Sequence, residues 1–167
     1  GRIKIAARYQ AAVLIDRHVM ADVAFDPVLK QKSQYKLWFN DQVRFSDLDV
    51  LGHVSSVRIN EYFAGARTAL FRQAIVGWPA ASQIPVLKLS VVSHEQEINF
   101  PAQLEVGLLV ERLGNSSFFL VMGLFGQGLC LALCRNIFVF IDVANRKAVQ
   151  PHEETRQNLL KFLMVAA

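Results

Sequence analysis

The chain has 167 residues, a length typical of one domain that buries its own core without disulfides or metal ions. Only 19% of the residues are charged, below the usual ~25%, which predicts that part of the surface is covered by another subunit. The formal net charge of +4 suits an anionic ligand but is too diffuse to predict a nucleic-acid partner. No apolar run approaches the ~20 residues of a membrane-spanning helix, so we expect no membrane span.

The first part of the chain, residues 1–34, lacks a clear pattern. It carries basic residues, alanines and scattered apolar positions, with a break at Asp26-Pro27. It has no apolar stretch followed by a small-residue cleavage site, so we do not interpret it as a signal peptide. We expect an N-terminal extension of weak structure with at most one short helix, and the sequence leaves open whether the natural chain begins at Met20. The folded domain is predicted over residues 35–167.

A strand and then a helix open this domain. Apolar residues alternate at Leu37, Phe39, Val43 and Phe45, which predicts a half-buried strand. From Val57 the apolar spacing changes to three and four residues, which predicts an amphipathic helix of about five turns. A hydroxyl of Ser55 or Ser56 is placed to cap its start, and Gly77-Trp78-Pro79 marks its end.

Four strand-like stretches follow without another long helical pattern: PVLKLSVVSHEQEINF, LEVGLLVERLG, SSFFLVMGLFG and CLALCRNIFVFID. Turn residues at 114–117 and 125–128 predict hairpins, and the tail PHEETRQNLLKFL predicts a short C-terminal helix. Together these elements predict an α+β fold, a five-stranded antiparallel sheet wrapped around one long helix. Such a sheet leaves a face or an edge uncovered, which predicts at least a dimer.

The two cysteines, Cys130 and Cys134, lie in one predicted strand. Four residues along a strand span roughly 13 Å, beyond the reach of a disulfide. Two cysteines without a second pair are also a poor zinc site. We therefore expect buried thiols, no metal site and a reducing, cytoplasmic location.

The corner between the first strand and the helix, DLDVLGHVSSVRINEYFAGAR, carries a resemblance to a known family. It resembles the corner of hotdog-fold acyl-CoA thioesterases of the 4-hydroxybenzoyl-CoA thioesterase type, approximately D-x-D-x-x-G-H-V-N-N-x-x-Y-x-x-Y-F-E-x-A-R. The matching positions are Asp47, Asp49, Gly52, His53, Val54, Glu61, Tyr62, Phe63, Ala66 and Arg67. The strand pair around the turn at 114–117 is also similar, so the resemblance covers about residues 35–163.

The resemblance implies a hotdog fold and hydrolysis of an acyl-CoA thioester to a free acid and coenzyme A. It implies a homodimer or a dimer of dimers, with no cofactor because the coenzyme A thioester is the substrate. Thioester hydrolysis needs a carboxylate as base or nucleophile and hydrogen-bond donors for the oxyanion. A loop that leads into a helix N-terminus supplies both.

The resemblance also implies roles for individual residues. Asp49 takes the place of the catalytic carboxylate, the backbone N–H of Ser56 that of the oxyanion donor, and His53 that of a group that polarises the thioester. Residues implied to contact substrate are Gly52, Val54, Ser55, Tyr62, Phe63 and Arg112. The alternatives are structural: Asp49 as a turn cap and His53 as a hydrogen-bonded histidine. Ser55-Ser56 replaces the family's Asn-Asn, which leaves open a non-catalytic acyl-CoA-binding or regulatory hotdog protein.

Overall fold

The computed structural model describes residues 24–165. Its strands are β1 (Leu37–Gln42), β2 (Gln83–His94), β3 (Gln103–Leu113), β4 (Ser117–Gly126) and β5 (Leu129–Asp142). Its α-helices are α1 (Ser56–Ala74) and α2 (Glu153–Leu160), and short 3-10 helices cover Pro27–Lys30, Lys32–Gln34 and Phe45–Asp47. None of the helices in the described residues is long and apolar enough to cross a membrane.

The five strands form one antiparallel sheet in the order β1-β3-β4-β5-β2. Both predicted hairpins are confirmed: β3 and β4 are joined at 114–116, and β4 and β5 at Gln127-Gly128. The second turn has φ values of 53° and 76° at its two residues. Two positive φ values are typical of the tight turn whose twist suits a hairpin, and glycine adopts them without a steric penalty. The α+β architecture with one long helix and a short C-terminal helix is confirmed.

Helix α1 packs across one face of the sheet. Its 19 residues correspond to the predicted five turns, and the Ser55 hydroxyl accepts the Arg58 N–H at 3.4 Å as its N-cap. The apolar stripe of the helix contacts the even-numbered apolar side chains of β3 and β4 in the main core. This packing holds the start of α1 at the end of the sheet where β1 finishes and β3 begins.

The first predicted strand is wrong at its end. Strand β1 stops at Gln42, and Phe45 is 75% exposed instead of continuing the alternation. The reason is local: the Asp47 carboxylate accepts the Arg44 N–H at 2.8 Å, which folds the chain into a 3-10 turn. The next strand also ends earlier than predicted, at His94, because the N–H groups of Glu95 and Gln96 both turn back to the Leu131 carbonyl.

The opposite face of the sheet is partly covered by the chain itself. Residues 24–35, which we call the strap, lie on this face and contribute Leu29 and Tyr35 to a second apolar cluster. Leu29 is only 1% exposed. Residues 27–34 therefore belong with the packed sheet rather than with a weakly structured extension. Residues 1–23, including Met20, lie outside the described residues.

Candidate active site

The corner between β1 and α1 is anchored by a buried carboxylate, Asp47, which is 4% exposed. One of its oxygens accepts the Arg44 N–H and the Tyr62 hydroxyl, and its backbone carbonyl accepts the Ser55 N–H at 3.0 Å. The Arg58 guanidinium lies 3.7 Å from its second oxygen. Asp47 thus connects the 3-10 turn, the loop and helix α1 through direct hydrogen bonds.

These contacts set the charge state of the anchor. Burial alone disfavours the charged form, but the hydrogen bonds from Tyr62 and Arg44 and the nearby arginine charges outweigh it, so the pKa of Asp47 is lowered. Burial, together with the Asp47 carboxylate, raises the pKa of the Tyr62 hydroxyl. The pair is therefore an ionised carboxylate that accepts a hydrogen bond from a neutral phenol.

The loop after the anchor presents Asp49. Leu48 and Val54 pair as an isolated antiparallel bridge that closes the loop. Within it the Asp49 N–H donates to the His53 carbonyl at 2.8 Å, and Gly52 has a φ of 81° with open space around it. The Asp49 Oδ1 atom accepts the Leu51 N–H at 2.8 Å and the His53 N–H at 3.4 Å. Within residues 24–165 the Oδ2 atom has no hydrogen-bond partner, and the side chain is exposed.

The start of α1 supplies backbone donors beside this loop. Ser55 caps the Arg58 N–H. No acceptor in the described chain takes the N–H groups of Ser56 and Val57, the first two helical residues. Because these groups lie at the positive end of the helix dipole, they favour negative charge in front of the helix. The predicted oxyanion donor, the Ser56 N–H, thus has no protein acceptor within the described residues.

A third segment of the corner was not recognised in the sequence. Residues 95–102, the loop between β2 and β3, pack against the Asp49 loop: the Val54 N–H donates to the Ile98 carbonyl at 2.9 Å. The His53 Nε2 atom lies 3.3 Å from a carboxylate oxygen of Glu97. Most of this segment was included in a predicted strand. The polar run HEQE was the sequence feature that indicates the end of the strand.

The other predicted residues divide into three groups. Gly52, Val54 and Ser55 belong to the corner itself. Tyr62 and Phe63 are buried in the main core, with the Tyr62 hydroxyl committed to Asp47. Arg112 lies near the far end of β3, nine residues or about 30 Å along the strand from Gln103 at the corner. Its guanidinium stacks over the Phe119 ring at 5.7 Å. The single chain therefore does not bring Arg112 to Asp49.

The surface around the corner is open and apolar. Large apolar side chains are exposed there at Phe45, Val50, Leu51, Val57 and Phe100. The rings of Phe45 and Phe100 contact edge to face with centroids 5.9 Å apart. Asp49 lines neither of two shallow recesses in residues 24–165, one beside Glu97 and Ile98 and the other beside Asp41 and Arg44. An exposed patch of this kind marks a surface that binds a ligand or another protein chain.

No cluster of three or more His, Cys, Asp or Glu side chains in the described part of the chain is arranged to hold a metal ion. Both cysteines are free thiols, Cys130 half-buried and Cys134 buried.

A five-stranded antiparallel sheet around one long helix is the hotdog fold, and in this chain an exposed carboxylate lies in the loop that leads into that helix. Residues 43–159 match the thioesterase-like superfamily, so the chain belongs to that superfamily and is a thioester hydrolase. No curated protein is significantly similar to it in sequence.

Solved structures share this fold. A Pseudomonas aeruginosa protein is 27% identical, with a TM-score of 0.75 over 81% of this chain and 97% of that chain. A Thermus thermophilus thioesterase in complex with coenzyme A and zinc is 23% identical, with a TM-score of 0.67 over 75% of this chain and 98% of that chain. A DHNA-CoA thioesterase from Staphylococcus aureus is 14% identical, with a TM-score of 0.61 over 68% and 78% of the two chains. The last two likenesses show the fold alone.

Proposed function

We propose that the protein hydrolyses acyl-CoA thioesters, with Asp49 as the catalytic carboxylate and the Ser56 N–H as an oxyanion donor. The observation that carries this proposal is the Asp49 side chain. One of its oxygens is held by two loop N–H groups, while the other has no partner within residues 24–165, and the same loop leads directly into the free N–H groups at the start of α1. A carboxylate held in this way is oriented and still able to react.

In the general-base form of the reaction, Asp49 takes a proton from a water molecule whose oxygen attacks the thioester carbonyl. The carbonyl oxygen becomes an oxyanion that the Ser56 N–H stabilises. The C–S bond then breaks, and the coenzyme A thiolate leaves and takes up a proton. In the nucleophilic form Asp49 itself attacks and water hydrolyses the resulting anhydride. After a single turnover in H₂¹⁸O, ¹⁸O in the Asp49 carboxylate would identify the anhydride route with attack of water at the Asp49 carbonyl carbon, because general-base catalysis places the oxygen of water only in the product acid.

The central experiment is Asp49→Asn, which keeps the shape and the Oδ1 acceptor but removes the charge. We expect kcat/KM on a panel of acyl-CoAs to fall by on the order of 10²-fold or more, with folding unchanged. Asp142→Asn is a matched control. The Asp142 Oδ1 atom also accepts two loop N–H groups, but it lies at the C-terminal end of β5, away from the corner. If Asp49→Asn keeps most of its activity, Asp49 has no part in the mechanism.

Coenzyme A as the carrier of the acyl group is part of this proposal. Two of the similar structures support it, since one contains coenzyme A and the other is named as a CoA thioesterase. The net charge of +4 also favours an anionic nucleotide. We expect hydrolysis of acyl-CoAs to weaken with added salt more than hydrolysis of pantetheine thioesters, which lack the nucleotide phosphates. An equal salt response would favour a carrier-protein substrate.

We also propose that the active protein is at least a dimer with the site at or near the subunit interface. The exposed apolar side chains at Phe45, Val50 and Leu51 support this, because a second chain would cover them. In the described residues the long strand β2 lies at an edge of the sheet, with Leu87 and Leu89 exposed, and offers a further surface for a second chain. Light scattering at micromolar concentration should give at least twice the monomer mass; a monomer would contradict the proposal. The free thiols of Cys130 and Cys134 support a reducing, cytoplasmic location.

The alternative is that the protein binds acyl-CoA without hydrolysing it. It is favoured by the turn-capping role of the Asp49 Oδ1 atom and by Ser55-Ser56 in place of the family's Asn-Asn. Saturable binding of acyl-CoA by calorimetry, with no free thiol released, would support this alternative and refute the proposed hydrolysis of acyl-CoAs.

A further inference from the structure

The strap, residues 24–35, docks on the sheet through a slot made by two glycines. Gly107 of β3 and Gly123 of β4 are direct cross-strand partners. A Cβ atom at Gly107 would lie 2.5 Å from Tyr35 Cγ, and one at Gly123 would lie 2.5 Å from the Tyr35 hydroxyl oxygen. Glycine inside a strand weakens it and marks close approach of another group. The two glycines therefore make room for the Tyr35 ring, so the sheet is shaped to receive the strap.

Further contacts hold the strap along its length. The Tyr35 hydroxyl donates to the Leu29 carbonyl at 2.6 Å, inside the second apolar cluster. Nearer the N-terminus, the Arg135 guanidinium binds both oxygens of Glu111 at 2.8 Å and lies 4.7 Å from the Phe25 ring centroid. These contacts order a segment that precedes residues 43–159, the part matched to the superfamily.

One contact joins the strap to the loop beside the candidate site. Lys30 Nζ lies 2.5 Å from a carboxylate oxygen of Glu95, whose side chain is only 20% exposed. The other Glu95 oxygen accepts the Ser93 hydroxyl at 2.7 Å. Glu95 is the first residue of the loop 95–102, and the same loop meets the corner where the Val54 N–H donates to the Ile98 carbonyl. The strap is thus connected to the Asp49 loop in three steps. The Lys30–Glu95 ion pair reaches loop 95–102, the chain runs from Glu95 to Ile98, and the Ile98 carbonyl accepts the Val54 N–H.

We propose that the strap is a positioning element for the candidate active site, with Lys30 and Glu95 as the residues that connect it to loop 95–102. The ion pair fixes the start of that loop on the sheet, and the loop in turn supports the Val54 and His53 side of the corner. The relevance of this support to catalysis rests on the proposed function. The contact of the strap with loop 95–102 does not depend on it.

The test is site-resolved amide hydrogen exchange on the full chain. Lys30→Met removes the charge and keeps the aliphatic stem. Lys32→Met is the matched control, because Lys32 pairs with Glu105 on strand β3 and does not contact the loop. Lys30→Arg is the rescue variant. Strand amides of β4 report on global unfolding in every sample.

We expect Lys30→Met to speed exchange at the Val54 and Gln96 amides by about two- to fivefold, the range for loss of one partly exposed ion pair. Lys32→Met should leave both amides unchanged, and Lys30→Arg should restore wild-type exchange. Unchanged Val54 exchange in Lys30→Met would overturn the proposal. So would an equal rise in β4, or a similar local rise in Lys32→Met.

Activity is a separate readout. If the wild-type protein hydrolyses acyl-CoAs, Lys30→Met should lower kcat/KM by about twofold or more, and Lys32→Met should not. A wild-type protein that releases no thiol would refute the proposed hydrolysis, whereas the exchange comparison would still decide whether the strap positions the loop.

Discussion

Removal of the Asp47 carboxylate should destabilise the protein more than any other change at the corner. In Asp47→Ala the buried Tyr62 hydroxyl and the Arg44 N–H both lose their acceptor. Each buried donor left unpaired costs ~1–3 kcal/mol. Water can replace the acceptor more easily at exposed Arg44 than at buried Tyr62, so we expect a total loss of about 3 kcal/mol in the free energy of unfolding.

The Tyr62→Phe variant and a double variant separate the contributions of Asp47 and Tyr62. Tyr62→Phe removes one donor and leaves Asp47 its bond from Arg44, which should cost ~1–2 kcal/mol. Because the two residues share one hydrogen bond, the double variant Asp47→Ala with Tyr62→Phe should be less destabilised than the sum of the single variants. Urea unfolding followed by fluorescence measures all of these values. A loss below ~0.5 kcal/mol for Asp47→Ala would refute the assignment of Asp47 as the anchor of the corner.

The contribution of Asp47 should also depend on pH. Its pKa is lowered in the folded protein, so the unfolded chain binds the proton more readily. The stabilisation is therefore complete above the ordinary aspartate pKa of about 3.9 and is lost as the pH falls through the lower folded-state pKa. Asp47→Asn lacks this dependence. The difference in unfolding free energy between wild type and Asp47→Asn should narrow from pH 5 to pH 3; a constant difference would contradict the lowered pKa.

Three further predictions concern the slot, the helix cap and a thiol. Gly107→Ala places a Cβ against the Tyr35 ring and should cost about 1–3 kcal/mol in urea unfolding, and a neutral result would show that the slot is not tight. Ser55→Ala should lose ~1 kcal/mol of unfolding free energy while Ser56→Ala loses much less, because only the Ser55 hydroxyl caps α1; equal losses would contradict this. Burial raises the pKa of the Cys130 thiol to about 11, so its alkylation by iodoacetamide should be slow at pH 8 and accelerate towards pH 11. Fast labelling of Cys130 at pH 8, located by peptide mass analysis, would disagree with that pKa.

Local patterns in the sequence were sufficient to predict the two α-helices and the two hairpins. The change from a two-residue to a 3.6-residue period at Val57 predicted α1, and the cap at Ser55 is a contact between residues three apart. The hairpin at Gln127-Gly128 followed from turn composition in the same way. Each of these features depends on residues within a few positions of one another, so the sequence alone carries the information.

The corner was predicted in part. The loop before the helix followed from the acids, Gly52 and the serines, whereas its candidate site residues followed from the resemblance to the thioesterase corner. The ends of the strands did not, since Phe45 leaves the sheet only because Asp47 captures the Arg44 N–H. The burial of the Tyr62 hydroxyl was also not predicted. The position of Tyr62 on the apolar stripe follows from local spacing, but its hydroxyl is buried because α1 packs over Asp47.

Tertiary structure decided everything that joins distant segments. Loop 95–102 supports the corner because its Ile98 carbonyl accepts the Val54 N–H, and Arg112 is remote from Asp49 because β3 runs away from the corner for about 30 Å. The strap looked unpatterned because its partners, Gly107 and Gly123, lie some seventy to ninety residues further along the chain. The two-residue period of a strand and the 3.6-residue period of a helix indicate only which side of that strand or helix is buried. The identity of the segment that buries it is set by sheet order and close packing, which appear only once the chain is folded.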